Sequence, residues 1–396
     1  MDRILNIFGR IGFFLGSILF AAGPPSAGRA AEIAAVAPVM SCEALLGLDL
    51  TGLEGAPARI ETATEVRENT PRPYCAVTGY AAPAVRFEVR LPLQGWTQRF
   101  LMLGCGGFCG LVNVDNPGLR RQMQGCAPLT NGEFVLASSD LGHRRHATFG
   151  GDGLWALGNP AAMADFAYAG MHKATLVSKA IIRAFYGQPQ RYAYFAGCSD
   201  GGREGLMEAQ RFPEDYDGIL VGAPVVNEVS NNTFYHGWNA RVNSRPDAMP
   251  ILTAGKIPAL AEAVQRSCGD VRGLVQDPRA CHFEPASVRC PAGEDRADCL
   301  TAEQVTVVER LYRAAVDDRG RLLHPGNMPR GSEPGWITTM VPARDEPITI
   351  RNSSDAQYAW DLPNYMASLS GATGITYRNM EFTEASFRRL MELSGL

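Results

Sequence analysis

Gly197-Cys198-Ser199-Asp200-Gly201 joins two segments of opposite texture, and that junction decides the fold. Upstream, Arg191-Tyr192-Ala193-Tyr194-Phe195-Ala196 is short, apolar and aromatic, as suits a strand buried in a sheet. Downstream, Gly202 to Arg211 places Leu206, Met207 and Gln210 at helical spacing and stops at Phe212-Pro213. Strand, sharp turn and helix are the setting that a G-x-S-x-G pattern needs, because only small neighbours let the backbone fold tightly enough to expose the Ser199 hydroxyl. The same placement puts Ser199 at a helix N-terminus. The Asp200 N-H would point at a developing oxyanion, and the helix dipole would favour charge there. In a chain with 42 glycines the pattern alone says little. Flanked by strand and helix it predicts a serine-hydrolase elbow, against the plainer reading of a glycine-rich turn with an exposed serine.

The neighbouring segments extend the same architecture. Val85 to Leu91 alternates apolar and charged residues, a strand with one wet face, and Phe100-Leu101-Met102-Leu103 is a fully apolar strand. The latter runs into Gly104-Cys105-Gly106-Gly107-Phe108-Cys109-Gly110, a loop able to bring backbone N-H groups close to a ligand, as the second half of an oxyanion hole requires. No Gly-Lys-Ser/Thr follows it, so a phosphate cradle is disfavoured. Glu133 to Ser138 is another buried strand, ending at Asp140 and His143, which read as a satisfied structural pair at a strand end. Asn159-Pro160 opens an amphipathic helix towards Phe185, and Tyr216 to Pro224 supplies one more buried strand. Strands alternating with helices from about residue 85 to residue 224 predict an α/β, doubly wound, mostly parallel sheet. Beyond Val225 the chain turns irregular and cysteine-rich, with Thr301 to Ala315 its clearest helix. Residues 31–226 are expected to form the first part of a catalytic domain, 227–350 a lid inserted over it, and 351–396 a return segment.

The chain has 396 residues and a net charge of −4, without a basic run to pair with phosphates, so nucleic acid is not an expected partner. Residues 1–30 carry Arg3 and Arg10, an apolar stretch from Ile11 to Ala22 and a small-residue end, a secretory signal peptide in pattern. No other stretch approaches spanning length, so no membrane association is expected after cleavage, and the mature chain is expected to be secreted or periplasmic. Ten cysteines in an exported chain point to disulfides, with Cys42 to Cys75 pinning the N-terminal arm. The gaps among Cys268, Cys281, Cys290 and Cys299 are too wide for paired C-x-x-C zinc ligands.

Gly197 to Met207, Gln210 to Ile219, Gly222-Ala223-Pro224, Asp140-Leu141-Gly142-His143 and Gly331-Ser332-Glu333-Pro334-Gly335-Trp336 together resemble the tannase and feruloyl esterase family. That family includes the hydrolase of mono(2-hydroxyethyl) terephthalate. The resemblance implies an α/β-hydrolase fold with a cysteine-rich lid, in which Ser199 is the nucleophile. Asp200 and a glycine of the 104–107 loop, Gly106 or Gly107, would then supply the oxyanion hole. It implies lid bridges Cys268–Cys281 and Cys290–Cys299, and a bridge from Cys198 to a cysteine beside the catalytic histidine. The expected substrate is a small ester of an aromatic acid of hydroxybenzoic, cinnamic or phthalic type, and no cofactor is required.

Two departures from the family pattern accompany the resemblance. The family's Asp and His lie downstream of the lid, in a segment that does not occur before Leu396, so the Cys198 partner and the last strands of the sheet are expected to be missing. A catalytically inactive, truncated member of the family is the alternative expectation, since a serine without a general base keeps only residual rate. Setting Cys198 aside leaves nine cysteines, so at least one more, among Cys105, Cys109 and Cys126, would be unpaired. The second departure lies between the first two lid cysteines, where the family holds calcium. This chain keeps only Asp270 and Asp277 with Arg272 between them, a weak set for a hard cation. Trp336 and Arg351 are candidate contacts for the aromatic ring and a substrate carboxylate, against packing and solvation as their ordinary roles.

Overall fold

Seven strands of five to nine residues pair into one sheet in the order β1-β2-β3-β5-β4-β6-β7 among the described residues. The strands are β1 (Ala58–Val66), β2 (Tyr74–Ala81), β3 (Val85–Pro92), β4 (Arg99–Leu103), β5 (Phe134–Ser139), β6 (Tyr192–Cys198) and β7 (Gly218–Gly222). The computed structural model describes residues 33–115, 123–146, 150–367 and 373–393; the expected signal peptide at residues 1–30 lies outside them. The first three strands form an antiparallel meander, β3 meets β5 antiparallel, and β5, β4, β6 and β7 run parallel. This is the parallel α/β sheet expected from the sequence, with an antiparallel flank added at one side. The Cys42–Cys75 disulfide ties the short turn Glu43–Gly47 to β2.

Register positions the site. Leu103 is aligned with Ser138 of β5 and Ala196 of β6, so the C-terminal ends of three parallel strands finish together. The chain leaving each end, Gly104 to Gly110, Asp140 to His143 and Ser199, therefore converges on one edge, where sites collect in open α/β sheets.

Helix α1 (Gly170–Tyr186) packs on β3 and β5, and α2 (Asp200–Arg211) packs on β6 and β7. Phe100, Met102, Val135, Ala137, Ala193 and Phe195 face the main core with Val177, Ile181 and Phe185 of α1. The alternate residues Leu101, Leu103, Phe134 and Ala196 face a smaller cluster with Met123, Cys126 and Leu129. The amphipathic run from Asn159 is not one continuous α-helix. A first turn, Pro160–Ala164, is capped by Asn159 Oδ1 accepting from the Ala162 N-H at 3.2 Å. A π-turn, Asp165–Ala169, then precedes α1 and carries Asp165, buried and bonded by Lys173 Nζ at 2.6 Å.

Past Gly222 the described residues add no strand to the sheet. They form α3 (His236–Val242), α4 (Ile257–Cys268), α5 (Ala302–Leu311), α6 (Ser354–Asp361) and α7 (Glu384–Leu393), with 3-10 and π turns between. Disulfides Cys268–Cys281 and Cys290–Cys299 staple this part, and α5 starts on a capping box between Thr301 and Gln304. The described residues from Ala35 onward make one compact unit.

Helix α6 ends at Asp361, 6% exposed and packed against Gly153. Burial, and then the nearby Asp152 carboxylate, push its carboxyl from near 3.8 up to about 7. A raised carboxyl stabilises the fold while protonated, so that contribution falls as pH rises from about 4 to about 7. Asp361→Asn is expected to remove roughly 3–4 kcal/mol of this pH dependence. Urea unfolding at pH 4.5 and pH 8 checks it: wild type should lose stability across that window relative to the variant.

Candidate active site

Ser199 caps β6 and precedes α2 with φ +63° and ψ −120°, a conformation that costs a non-glycine residue about 1–3 kcal/mol and persists only where neighbours enforce it. Four backbone bonds do so. The Ser199 N-H donates to Gly222 O at 3.0 Å, and Ser199 O accepts from the N-H groups of Gly202, Arg203 and Val225 at 3.0, 3.2 and 3.3 Å. The glycines make the turn sterically possible: a Cβ at Gly197 would lie 2.2 Å from Gly201 O, and one at Gly202 would lie 2.5 Å from Gly222 O. The result is an exposed serine at the head of α2, one residue before a buried Asp200 whose N-H opens the helix.

The glycine loop after β4 lies directly against this elbow. A Cβ at Gly201 would come within 2.6 Å of Cys105 O, and the Gly104 N-H donates to Ala196 O at 2.9 Å. A Cβ at Gly106 would meet nothing within 4 Å, so its backbone borders open space. That space is a cavity of about 260 Å³ lined by Gly104 to Gly107, Asn113 and Arg145. The structure thus lays the start of the glycine loop, Gly104 and Cys105, against Gly201 of the elbow helix. Of the three cysteines among which one was expected to stay unpaired, Cys105 and Cys109 are bridged to each other across the loop, and Cys126 joins Cys198 as the free cysteines of the described residues.

Under the elbow lies a charged cluster that the sequence does not reveal. Arg203 donates through Nε to Asp200 Oδ1 at 2.5 Å and through Nη2 to Oδ2 at 3.1 Å. It also donates to the carbonyls of Ala167 and Phe166 at 2.9 and 3.0 Å and lies over the Phe166 ring. Burial opposes its charge, but Asp200, Glu228 and Glu204 more than restore it. Burial first, and Asp200 second, push the carboxyls of Glu204 and Glu228 upward. Glu204 Oε2 accepts from the Cys105 N-H at 3.3 Å, and its Oε1 lies 2.9 and 3.3 Å from the bridged sulfurs of Cys105 and Cys109. A disulfide sulfur has no proton to give, so a hydrogen bond there needs a proton on Glu204, the form that burial favours.

None of the six histidines hydrogen-bonds Ser199 among the described residues. His143 is buried, stacked on Trp155, and placed between Phe108 O and Leu141 O; burial lowers its pKa. Asp140 accepts from the N-H groups of Arg86 and Gly142, and burial lifts its carboxyl to about 6. The pair pins the loops around the site. Two further imidazoles are oriented by carboxylates: His172 by Asp215 and His236 by Asp355, each through Nδ1 at 2.6 Å. His236 stacks on Tyr358, which meets Phe108 of the glycine loop edge-on.

Two candidate substrate contacts take their ordinary roles instead, and the weak calcium set proves weak. Trp336 is fully buried, donates to Ser332 Oγ at 3.0 Å and packs on Tyr312, so it is a core residue rather than a wall of a cleft. Arg351 is exposed on the turn before α6 and lines none of the cavities described here. Asp270 and Asp277 do not fit calcium. Asp270 is occupied by Arg272, by Gln276 Nε2 at 2.7 Å and by two backbone N-H groups, and Asp277 is paired with Arg279. Two guanidinium groups stand where a hard cation needs six to eight oxygens. An apolar cavity of about 340 Å³ is the better candidate for a ring: it is lined by Phe166, Met207, Val226, Val229, Leu362 and Met366, with Arg203 and Glu228 in its wall.

A family model described as tannase and feruloyl esterase matches residues 66–394. An uncharacterized esterase of Xanthomonas campestris pv. campestris is 33% identical over 281 residues, covering 67% of this chain and 46% of that protein. A probable feruloyl esterase B-1 of Aspergillus fumigatus is 32% identical over 254 residues, covering 62% of this chain and 44% of that protein. The chain thus spans about half the length of the curated relatives it matches. Feruloyl esterase B from Aspergillus oryzae shares the fold, with a TM-score of 0.69 at 22% identity over 90% of this chain and 70% of that one. From the match of family model, relatives and fold, the chain belongs to the tannase and feruloyl esterase family.

Proposed function

We propose that this chain is a serine carboxylesterase that cleaves small esters of aromatic acids through an acyl-enzyme on Ser199, in a secreted or periplasmic setting. The observation that carries the reading is the enforced φ of +63° at an exposed serine, at a helix N-terminus and against a glycine loop bordering open space. Ser199 Oγ would attack the ester carbonyl, and the N-H groups of Asp200 and of Gly106 or Gly107 would receive the oxyanion. The apolar cavity beside Arg203 suits an aromatic ring, and the relatives named feruloyl esterase favour a cinnamic-type acid. Oγ must also lose its proton to a base, and no imidazole bonded to it occurs among the described residues. Four disulfides suit an oxidising compartment, and no helix among the described residues is long and apolar enough to cross a membrane.

The test is release of 4-nitrophenol from a 4-nitrophenyl cinnamate by the 396-residue chain and by Ser199→Ala. Hydrolysis by wild type that falls by about 10³-fold or more in Ser199→Ala supports the reading. Equal turnover by the two proteins, or none by wild type, refutes it for this chain.

A further inference from the structure

We propose that His172, Glu208 and Asp215 form a binding site for a divalent first-row transition metal of the zinc type, on the core side of the elbow helix. His172 comes from α1, Glu208 from the third turn of α2, and Asp215 from the turn that follows α2. Their ligand-capable atoms all lie within 4.8 Å of one another.

Glu208 is the informative member. It is 1% exposed, and neither carboxylate oxygen has a hydrogen-bond donor. Buried carboxyl oxygens rarely go unpartnered, because desolvation without a compensating bond is costly. The polar group it faces is the Asp215 carboxyl, an acceptor like itself, so a shared proton or a cation must lie between them.

The local charge leaves one carboxylate for a cation or the shared proton to meet. Lys179 Nζ bonds Asp215 O at 2.6 Å and Oδ1 at 3.3 Å, and so already balances one of the two carboxylates. Asp215 Oδ2 and His172 Nδ1 bond each other at 2.6 Å, and both residues place a ligand-capable atom within 4.8 Å of the Glu208 carboxyl. His172 is held in orientation by stacking on Phe212, with ring centroids 3.7 Å apart and planes 6° apart. Its side chain is 24% exposed, which leaves a path for an ion from solvent. One imidazole and two carboxylates suit zinc, cobalt or manganese; calcium and magnesium prefer all-oxygen sets. A bound ion would tie α1 to the segment between α2 and β7.

The experiment uses the full chain stripped by a chelator, with zinc binding measured by calorimetry and thermal melting at pH 7. Cobalt serves as the spectroscopic probe. We expect wild type to bind one equivalent of zinc more than Glu208→Gln, to melt higher with zinc, and to show cobalt d-d bands that the variant lacks. Glu208→Gln should fold without metal, since its amide can donate to Asp215. His172→Gln, altered at a partly exposed side chain, is the second variant and should lose the same equivalent. Calcium and magnesium should leave melting unchanged. Equal zinc stoichiometry in wild type and both variants would place the ion elsewhere, on Cys126 or Cys198 for example, and would overturn the proposal. No zinc binding by wild type would also overturn it, and would leave a proton shared between Glu208 and Asp215 as the resting state.

Discussion

Arg203→Met is expected to destabilise the protein by about 3–5 kcal/mol, the cost of leaving buried charge without its partner. Methionine keeps most of the volume and the contact with Phe166, so the loss is electrostatic rather than a cavity. In its absence Asp200, Glu204 and Glu228 share one buried region with no cation among them, and the carbonyls of Phe166 and Ala167 lose their donor. Urea unfolding at neutral pH measures the effect as a lower midpoint at unchanged slope. Adding Asp200→Asn should return part of the loss, because it removes the charge that Arg203 chiefly balances. A change under about 1 kcal/mol in Arg203→Met would mean that water reaches the cluster and screens it.

Gly197→Ala should be worse still, more than about 4 kcal/mol or failure to fold, because the new methyl meets backbone rather than a movable side chain. The added Cβ would lie 2.2 Å from Gly201 O and 2.4 Å from Gly201 C, so relief requires opening the turn that presents Ser199. Gly106→Ala is the matched control. Its Cβ meets nothing within 4 Å and its φ is not positive, so stability should change by less than about 1 kcal/mol. Thermal unfolding of the two variants side by side separates a glycine needed for the fold from one that borders the cavity.

These two glycines also show what was legible in the sequence. The elbow could be read because its requirement is local: a buried strand, small residues and a helix start lie within about fifteen positions, and chain connectivity does the rest. Strands β3 to β7 were legible for the same reason, each being an apolar run or a clean alternation. β1 was not, because it is an edge strand whose outward Arg59, Glu61, Thr64 and Glu65 outweigh the buried Ala58 and Ile60. β2 hides its inward face in small residues, Cys75, Gly79 and Ala81, around Val77.

The polar partnerships were out of reach because they close over distance. His172 and Asp215 are 43 positions apart, and His236 and Asp355 are 119. No periodicity links them; only the packing of α1 beside α2, and of α3 beside α6, does. Arg203 and Asp200 are three positions apart and could have been paired from the sequence as a helical ion pair. Their burial, which makes the pair consequential, could not. Trp336 misled because a tryptophan in a polar, proline-rich stretch looks available to ligand, whereas this stretch wraps around it.

The Cys105–Cys109 bridge closes five residues, Cys105 to Cys109, into a ring that contains Gly106 and Gly107. An open strip with two adjacent glycines would sample many shapes, and an anion arriving there would have to freeze one of them. The ring does that freezing during maturation, so under the proposed function the amides would stand ready before an ester arrives. Oxidative folding would thereby become a step in assembling the proposed anion pocket. Protein produced in a reducing cytosol would keep the sheet and the elbow yet carry a slack pocket, and the choice of expression compartment would decide the quality of the sample.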